Sequence, residues 1–467
     1  MKLQVGKGTD FTQGSVLGNI VRMAIPMTLA FLVNVTYSVV DRIYIGHMPD
    51  VGALALTGIG LAFPITAVIT AFQNLFGSGG SPLFSMAMGR GDKAKARANL
   101  ANSAFMLILM GVVLTLVGFL VKDSVLWLIG ASENTFTYAS DYLDIYLLGT
   151  VFVMVSLGLN PYINAQGYAT TGMLTVLIGA VINIVLDPVF IFVFKMGVKG
   201  AAWATIISQA VSALWVLCFL CGKKVEVKLS FRGFRPDFKM IGKIMSLGMT
   251  EFCFALTNSA VSMLYNAQLQ ALGGDSWVGA MTVVNSLREV LMTIMHGVTG
   301  ATRPIISYNY GAKCYKRVRE AIRLLFTIIF SYYFITWALL MLFPDAFASL
   351  FLKDASMLEP TRIGIRLFFC LQFFMAFQST GQSTFTALGM ARHALFFSLL
   401  RKAFLVIPLT LILPKLFGLG VYGVFLSEPV SDVLGGLSCF TTMYFTVYRK
   451  LPKTDRPQEP FALAGAK

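Results

Sequence analysis

Charge is what this chain has least of. Asp, Glu, Lys and Arg make up 13% of its 467 residues, while 56% are hydrophobic. Soluble globular domains carry about 25% charged residues, so a water-soluble protein of this length is excluded. Histidine is almost missing: three residues, scattered at 47, 296 and 393, leave no His-rich catalytic or metal motif. A DDxxD run is absent as well, which argues against a membrane-embedded enzyme. No G-x-x-x-x-G-K-[ST] run occurs, so a P-loop does not supply the energy. Six cysteines, nearly all in apolar stretches, give no disulfide framework. Cys218 and Cys221 form a CxxC, but no second pair or nearby histidine completes a zinc or redox site. They read as small buried residues.

What is present is apolar length. Twelve segments reach the ~20 residues that a bilayer crossing needs: 20–45, 53–76, 98–121, 138–163, 173–194, 199–221, 244–271, 278–305, 320–342, 363–388, 394–414 and 421–447. None alternates with period two, which argues against a β-barrel. The first is too long for a cleaved signal and lacks a small-residue cleavage site. With the N-terminus inside, cytoplasmic tails and loops hold 24 Lys and Arg and the opposite loops 6. The positive-inside rule then places both termini in the cytoplasm of a multi-pass cell-membrane protein. The net charge of +15 belongs to this topology rather than to a nucleic-acid partner.

The twelve spans divide into two copies of one unit. The longest polar connection, residues 222–243, separates a lobe at 1–221 from one at 244–447, with a cytoplasmic tail at 448–467. Pro82, Ser85, Gly89 and Arg97 recur at an offset of 222 as Pro304, Ser307, Gly311 and Arg319. Gly167 recurs as Gly389 at the same offset, and "GVKGAAWATIIS" from 197 as "GVYGVFLSEPVS" at 223. Six spans per copy make the copies parallel, related by an axis along the membrane normal. Such a pair suits alternating access by rocking; a channel would need a filter-like loop, which neither half has.

Ionisable groups inside a membrane are functional by default. Asp187, in "GAVINIVLDPVFIF", has apolar neighbours on both sides and Pro188 directly after it. Helical rise puts Asp41, Asp187 and Thr205 each ~8–9 Å from the outer boundary of a ~30 Å core. Tyr37 and Asn183 lie one turn before Asp41 and Asp187, on the same faces. Two carboxylates, an amide oxygen and two hydroxyls would make a site for Na⁺, centred on Asp41, Asn183 and Asp187. The two carboxylates together would equally hold a proton. Taken singly, Asp187 could be a cap beside Pro188, and Asp41 an interfacial partner of Arg42. Pro26 interrupts the first span and allows a bend, fixed or moving. Asn34 and Asn160 either line a cavity or bond a neighbouring helix.

The second lobe differs. Glu428 stands at the repeat position of Thr205, with Asp432 one turn on and Arg401 and Lys402 in the eleventh span. Arg401 and Asp432 lie ~10–12 Å above the inner boundary by helical rise, which predicts a salt bridge, or a second proton site. His296 reads as a packing residue, and Glu251 as interfacial.

These residues resemble the multidrug and toxic compound extrusion (MATE) family over nearly the whole chain. The likeness rests on twelve spans in two six-helix lobes, "GRGDKAKAR" and its copy, "NIVLDPVFIF" and "GVKGAAWATIIS". It is typical of the bacterial drug-exporter branch. The resemblance implies an all-α polytopic fold and an antiporter that exports amphipathic organic cations in exchange for H⁺ or Na⁺. No cofactor and a monomer are expected. It also places the first-lobe cation site at Tyr37, Asp41, Asn183, Asp187 and Thr205. Another branch uses a glutamate eight residues after a proline that falls at Thr250; this chain has Asn258 there, a polar position for the substrate cavity with Asn34 and Asn160. A flippase for lipid-linked saccharides, from the same superfamily, is the alternative; it would be expected to carry a cavity rich in Arg and Lys.

Overall fold

The computed structural model describes residues 8–49, 51–351 and 357–455. The expected tail beyond residue 455 and Lys353 lie outside them. Among the described residues all regular structure is helical. Ten helices are long and apolar enough to cross a membrane, or eleven when one bent pair counts as a single crossing. The chain is therefore a polytopic helical membrane protein. Its surface agrees: Leu116, Leu120 and Leu128 are 61%, 82% and 87% exposed, an arrangement that water would penalise and acyl chains would not.

Two compact units emerge. The first holds Val21–Glu251 and the described residues before Gly14; the second holds Gly14–Ile20 and the described residues from Phe252 on. The first contains most of α1 (Val16–Gly46), then α2 (Gly52–Gly89), α3 (Lys93–Ile129), α4 (Glu133–Leu148), α5 (Thr150–Ala165), α6 (Ala169–Pro188) and α7 (Val198–Cys221). It closes with the first turns of α8 (Phe238–Gly273). The bent pair is α4 and α5, which meet at 60° around Gly149. Ser132 caps α4 through a reciprocal box with Thr135. The basic connection after α7 is tied to this unit: Gln166 exchanges two hydrogen bonds with the Val227 backbone, at 3.0 and 3.2 Å. Tyr168 donates to Lys224 O at 2.7 Å.

Close approach explains two glycines. A Cβ on Gly77 would meet Gly158 O at 2.4 Å, so α2 and α5 touch backbone to backbone, a small-residue contact familiar in membranes. Gly200 similarly admits the Phe190 backbone, 2.8 Å from a would-be Cβ. That contact seats α7 against the turn that follows α6. The turn, Val189–Val193, is π-helical; it begins after Pro188, whose missing N–H breaks the regular ladder.

The second unit runs on through α9 (Asp275–Gly311), α10 (Tyr315–Leu342), the short α11 (Pro344–Ser349) and α12 (Leu358–Phe369). Then come α13 (Met375–Ala387), α14 (Ala391–Leu399), α15 (Ile407–Ile412) and α16 (Val421–Met443). A π-helical stretch, Leu400–Val406, joins α14 to α15. Its core gathers Val261, Tyr265, Leu287, Phe368, Phe369 and Phe425.

Candidate functional site

The first unit brings the expected residues together. Asp187 is wholly buried on the last turn of α6, and Asn183 sits one turn below it. Asn183 Nδ2 donates to Asp187 Oδ1 at 3.2 Å and to Thr205 Oγ1, on α7, at 3.4 Å. From α1, Asp41 comes within hydrogen-bonding reach of Asp187, so one proton would bridge the two carboxylates. Tyr37 lies beside Asn34 and Ser38 and feels the charges of both acids; the Ser38 hydroxyl donates to Asn34 O at 3.0 Å. Asp41 Oδ1, Asn183 Oδ1 and Asp187 Oδ2 meet no hydrogen-bond donor among the described residues.

Two helices, α1 and α6, thus aim open oxygens at one place. Buried oxygens without donors are costly, and a small cation or a proton satisfies them. The donor set suits either: hard oxygens fit Na⁺, and facing carboxylates retain a proton. Asp187 is no simple end cap, because its contacts run to other helices.

Two residues of the site went unforeseen. Tyr142, buried on α4, lies beside Thr205 and faces Asp41. Tyr146, one turn on, stacks on it at 5.7 Å between ring centroids and lies near Tyr37. The signal was readable: Tyr138, Tyr142 and Tyr146 recur every fourth residue, one face of a helix.

Asn34 belongs to the Tyr37 side of the site. Asn160 Nδ2 donates to Gly172 O at 3.1 Å, which ties α5 to α6. Asn258 is half-buried on α8 in the second unit. Pro26 lies inside α1, which stays helical through it.

The second unit holds a different constellation. Arg401 Nη1 meets Asp432 Oδ1 at 2.8 Å and Glu428 Oε1 at 3.0 Å. Lys402 Nζ meets Glu428 Oε1 at 2.7 Å. Tyr265 donates to Glu428 Oε2 at 2.8 Å; Ser427 donates to Tyr265, and Thr410 to Ser427. All four charged side chains are buried. The expected Arg401–Asp432 pair is present, enlarged to two cations and two anions. Among the described residues no group of three or more His, Cys, Asp and Glu could hold a metal ion.

A family model described as MatE matches residues 26–189 and 251–412, more than half of the chain. The chain belongs to the MatE family. Its matched stretches include Tyr37, Asp41, Asn183 and Asp187, and also Arg401 and Lys402. Multidrug export protein MepA of Staphylococcus haemolyticus is 25% identical to this MatE chain over 428 residues, 91% of the chain and 93% of the relative. The protein of that name from Staphylococcus aureus (strain NCTC 8325 / PS 47) is 25% identical over 439 residues, 93% and 95% of the two. A solved MATE structure in the bent conformation has a TM-score of 0.88 at 24% identity, covering 95% of this chain and 99% of that one. The likeness confirms the all-α membrane fold expected for a MatE protein.

Proposed function

We propose that the chain is a secondary active antiporter that exports amphipathic organic cations in exchange for H⁺ or Na⁺. The observation that carries this reading is the pair of facing carboxylates, Asp41 and Asp187, with open oxygens inside the first unit. Tyr37, Asn183 and Thr205 complete the coupling site; Asn34, Asn160 and Asn258 belong to the substrate cavity. The relatives named multidrug export proteins support the substrate class. In this reading twelve spans form two six-helix lobes, α16 being the twelfth, with both termini cytoplasmic.

An acidic site exchanges ligands by charge. With the ion bound, the pair Asp41 and Asp187 loses one of its two negative charges and the pocket can close; with it released, they attract an organic cation or reopen to the next ion. The flippase alternative fits less well, since Arg401 and Lys402 are spent on Glu428 and Asp432. Efflux of a fluorescent organic cation from proteoliposomes, under a pH gradient and a Na⁺ gradient imposed separately, tests the proposal. Export driven by neither gradient would refute it.

A further inference from the structure

The repeat carries the coupling site of the first unit onto the charged cluster of the second. An offset of 224 takes Asn34 to Asn258, Ser38 to Ser262 and Asp41 to Tyr265. An offset of 223 takes Thr205 to Glu428 and Asp187 to Thr410. The structure joins those counterparts: Tyr265 donates to Glu428, and Thr410 reaches both through Ser427. Equivalent helices therefore build a polar junction at equivalent places in each unit.

The two junctions differ in one respect. In the first unit the carboxylate oxygens stand open. In the second, Glu428 Oε1 takes Lys402 Nζ at 2.7 Å and Arg401 Nη1 at 3.0 Å, and Oε2 takes the Tyr265 hydroxyl at 2.8 Å. The π-helical stretch Leu400–Val406 carries both cations inward on adjacent positions, which a regular helix would set about 100° apart. Lys402 is 1% exposed, too enclosed to serve as a surface charge.

We infer that the second unit contains a latent monovalent-cation site at Glu428, whose other carboxylate oxygen Tyr265 holds, filled permanently by the Lys402 ammonium. A covalently attached cation cannot be exchanged, so the second unit keeps a constant charge and ion coupling is confined to the first. Arg401 neutralises Asp432 and Lys402 neutralises Glu428; Arg288 is a further positive charge within range of Glu428. Removing the ammonium would take one positive charge from the cluster and strip Glu428 Oε1 of its nearest cation.

The inference rests on the proposed coupling site only in using it as the template; its test does not depend on export. Full-length protein carrying Asp187→Asn, which removes the first site, is compared with the same protein carrying Lys402→Ala in addition. Thermal unfolding in detergent is followed in NaCl, KCl, methylammonium chloride and choline chloride at equal ionic strength. Lys402→Ala should lower stability in choline and regain it, saturably, in Na⁺, K⁺ or methylammonium, while the parent responds to none of them. A neutral pair, Lys402→Met with Glu428→Gln, should fold and ignore the cation. A Lys402→Ala protein with the same stability in all four salts would overturn the inference, as would one that folds in none of them. Export lost while this salt response persists would count against the coupling proposal alone.

Discussion

Replacing Glu428 by glutamine preserves the volume of the second unit's cluster and deletes one charge. Glu428 receives three donors, from Arg401, Lys402 and Tyr265, at 3.0, 2.7 and 2.8 Å. Glutamine offers one oxygen in their place and turns an amide N–H toward another donor. Two cations then face only Asp432, which already pairs with Arg401 at 2.8 Å. Stranding a buried charge in this way costs about 3–5 kcal/mol, roughly two to four powers of ten in an unfolding equilibrium. Adding Lys402→Met restores neutrality and should recover more than half of that loss. Unfolding of the single and double variants in detergent, analysed as a cycle, gives the coupling directly. Non-neighbouring sites add to within ~0.3–0.5 kcal/mol; if Glu428→Gln and Lys402→Met add that closely, the cluster is not an electrostatic unit.

Asp187→Asn keeps the shape of the first site and should leave folding intact, abolish coupled efflux and flatten its dependence on pH or Na⁺. The double variant with Asp41→Asn should be no worse than either single, and a further loss in efflux would mean that the acids act separately. Tyr142→Phe deletes a hydroxyl beside Thr205 and Asp41; a loss of about 1 kcal/mol, the worth of one hydrogen bond, should weaken the apparent ion affinity about fivefold with maximal transport unchanged. Gly77→Ala drives a methyl to 2.4 Å from Gly158 O; the overpacking should cost about 1–3 kcal/mol, read as a lower unfolding temperature with ion dependence retained.

The fold was legible because the bilayer simplifies the code: a helix must be long, apolar and continuous. The first site was legible for a related reason. Depth is a linear count along each span, and Asp41, Asp187 and Thr205 converge as that count required. Depth says nothing about azimuth, so Tyr142 on α4 stayed hidden although it lies against Thr205. The Arg401–Asp432 pair followed from matched depth, whereas the place of Lys402 in the cluster did not. Helical geometry separates adjacent side chains by about 100°, so depth alone does not aim residues 401 and 402 at one carboxylate; both lie in the π-helical stretch Leu400–Val406 and both reach Glu428. Asn160 shows the ambiguity of a polar residue in a span, since its Nδ2 binds α6 while its Oδ1 meets no partner among the described residues.

The cluster also bears on how the chain enters the membrane during synthesis. α16 is not among the described helices apolar enough to span by composition, and an acidic residue at a helix centre adds about 2.5–3.5 kcal/mol to the cost of insertion. Its partners, Arg401 and Lys402, emerge from the ribosome 26 to 31 residues before Glu428 and Asp432. The preceding span thus waits with two cations for the two anions, and α16 can partition as half of a neutral hairpin. If α16 crosses, as proposed, chain order would act as an assembly instruction: the helical stretch before it would admit α16 to lipid.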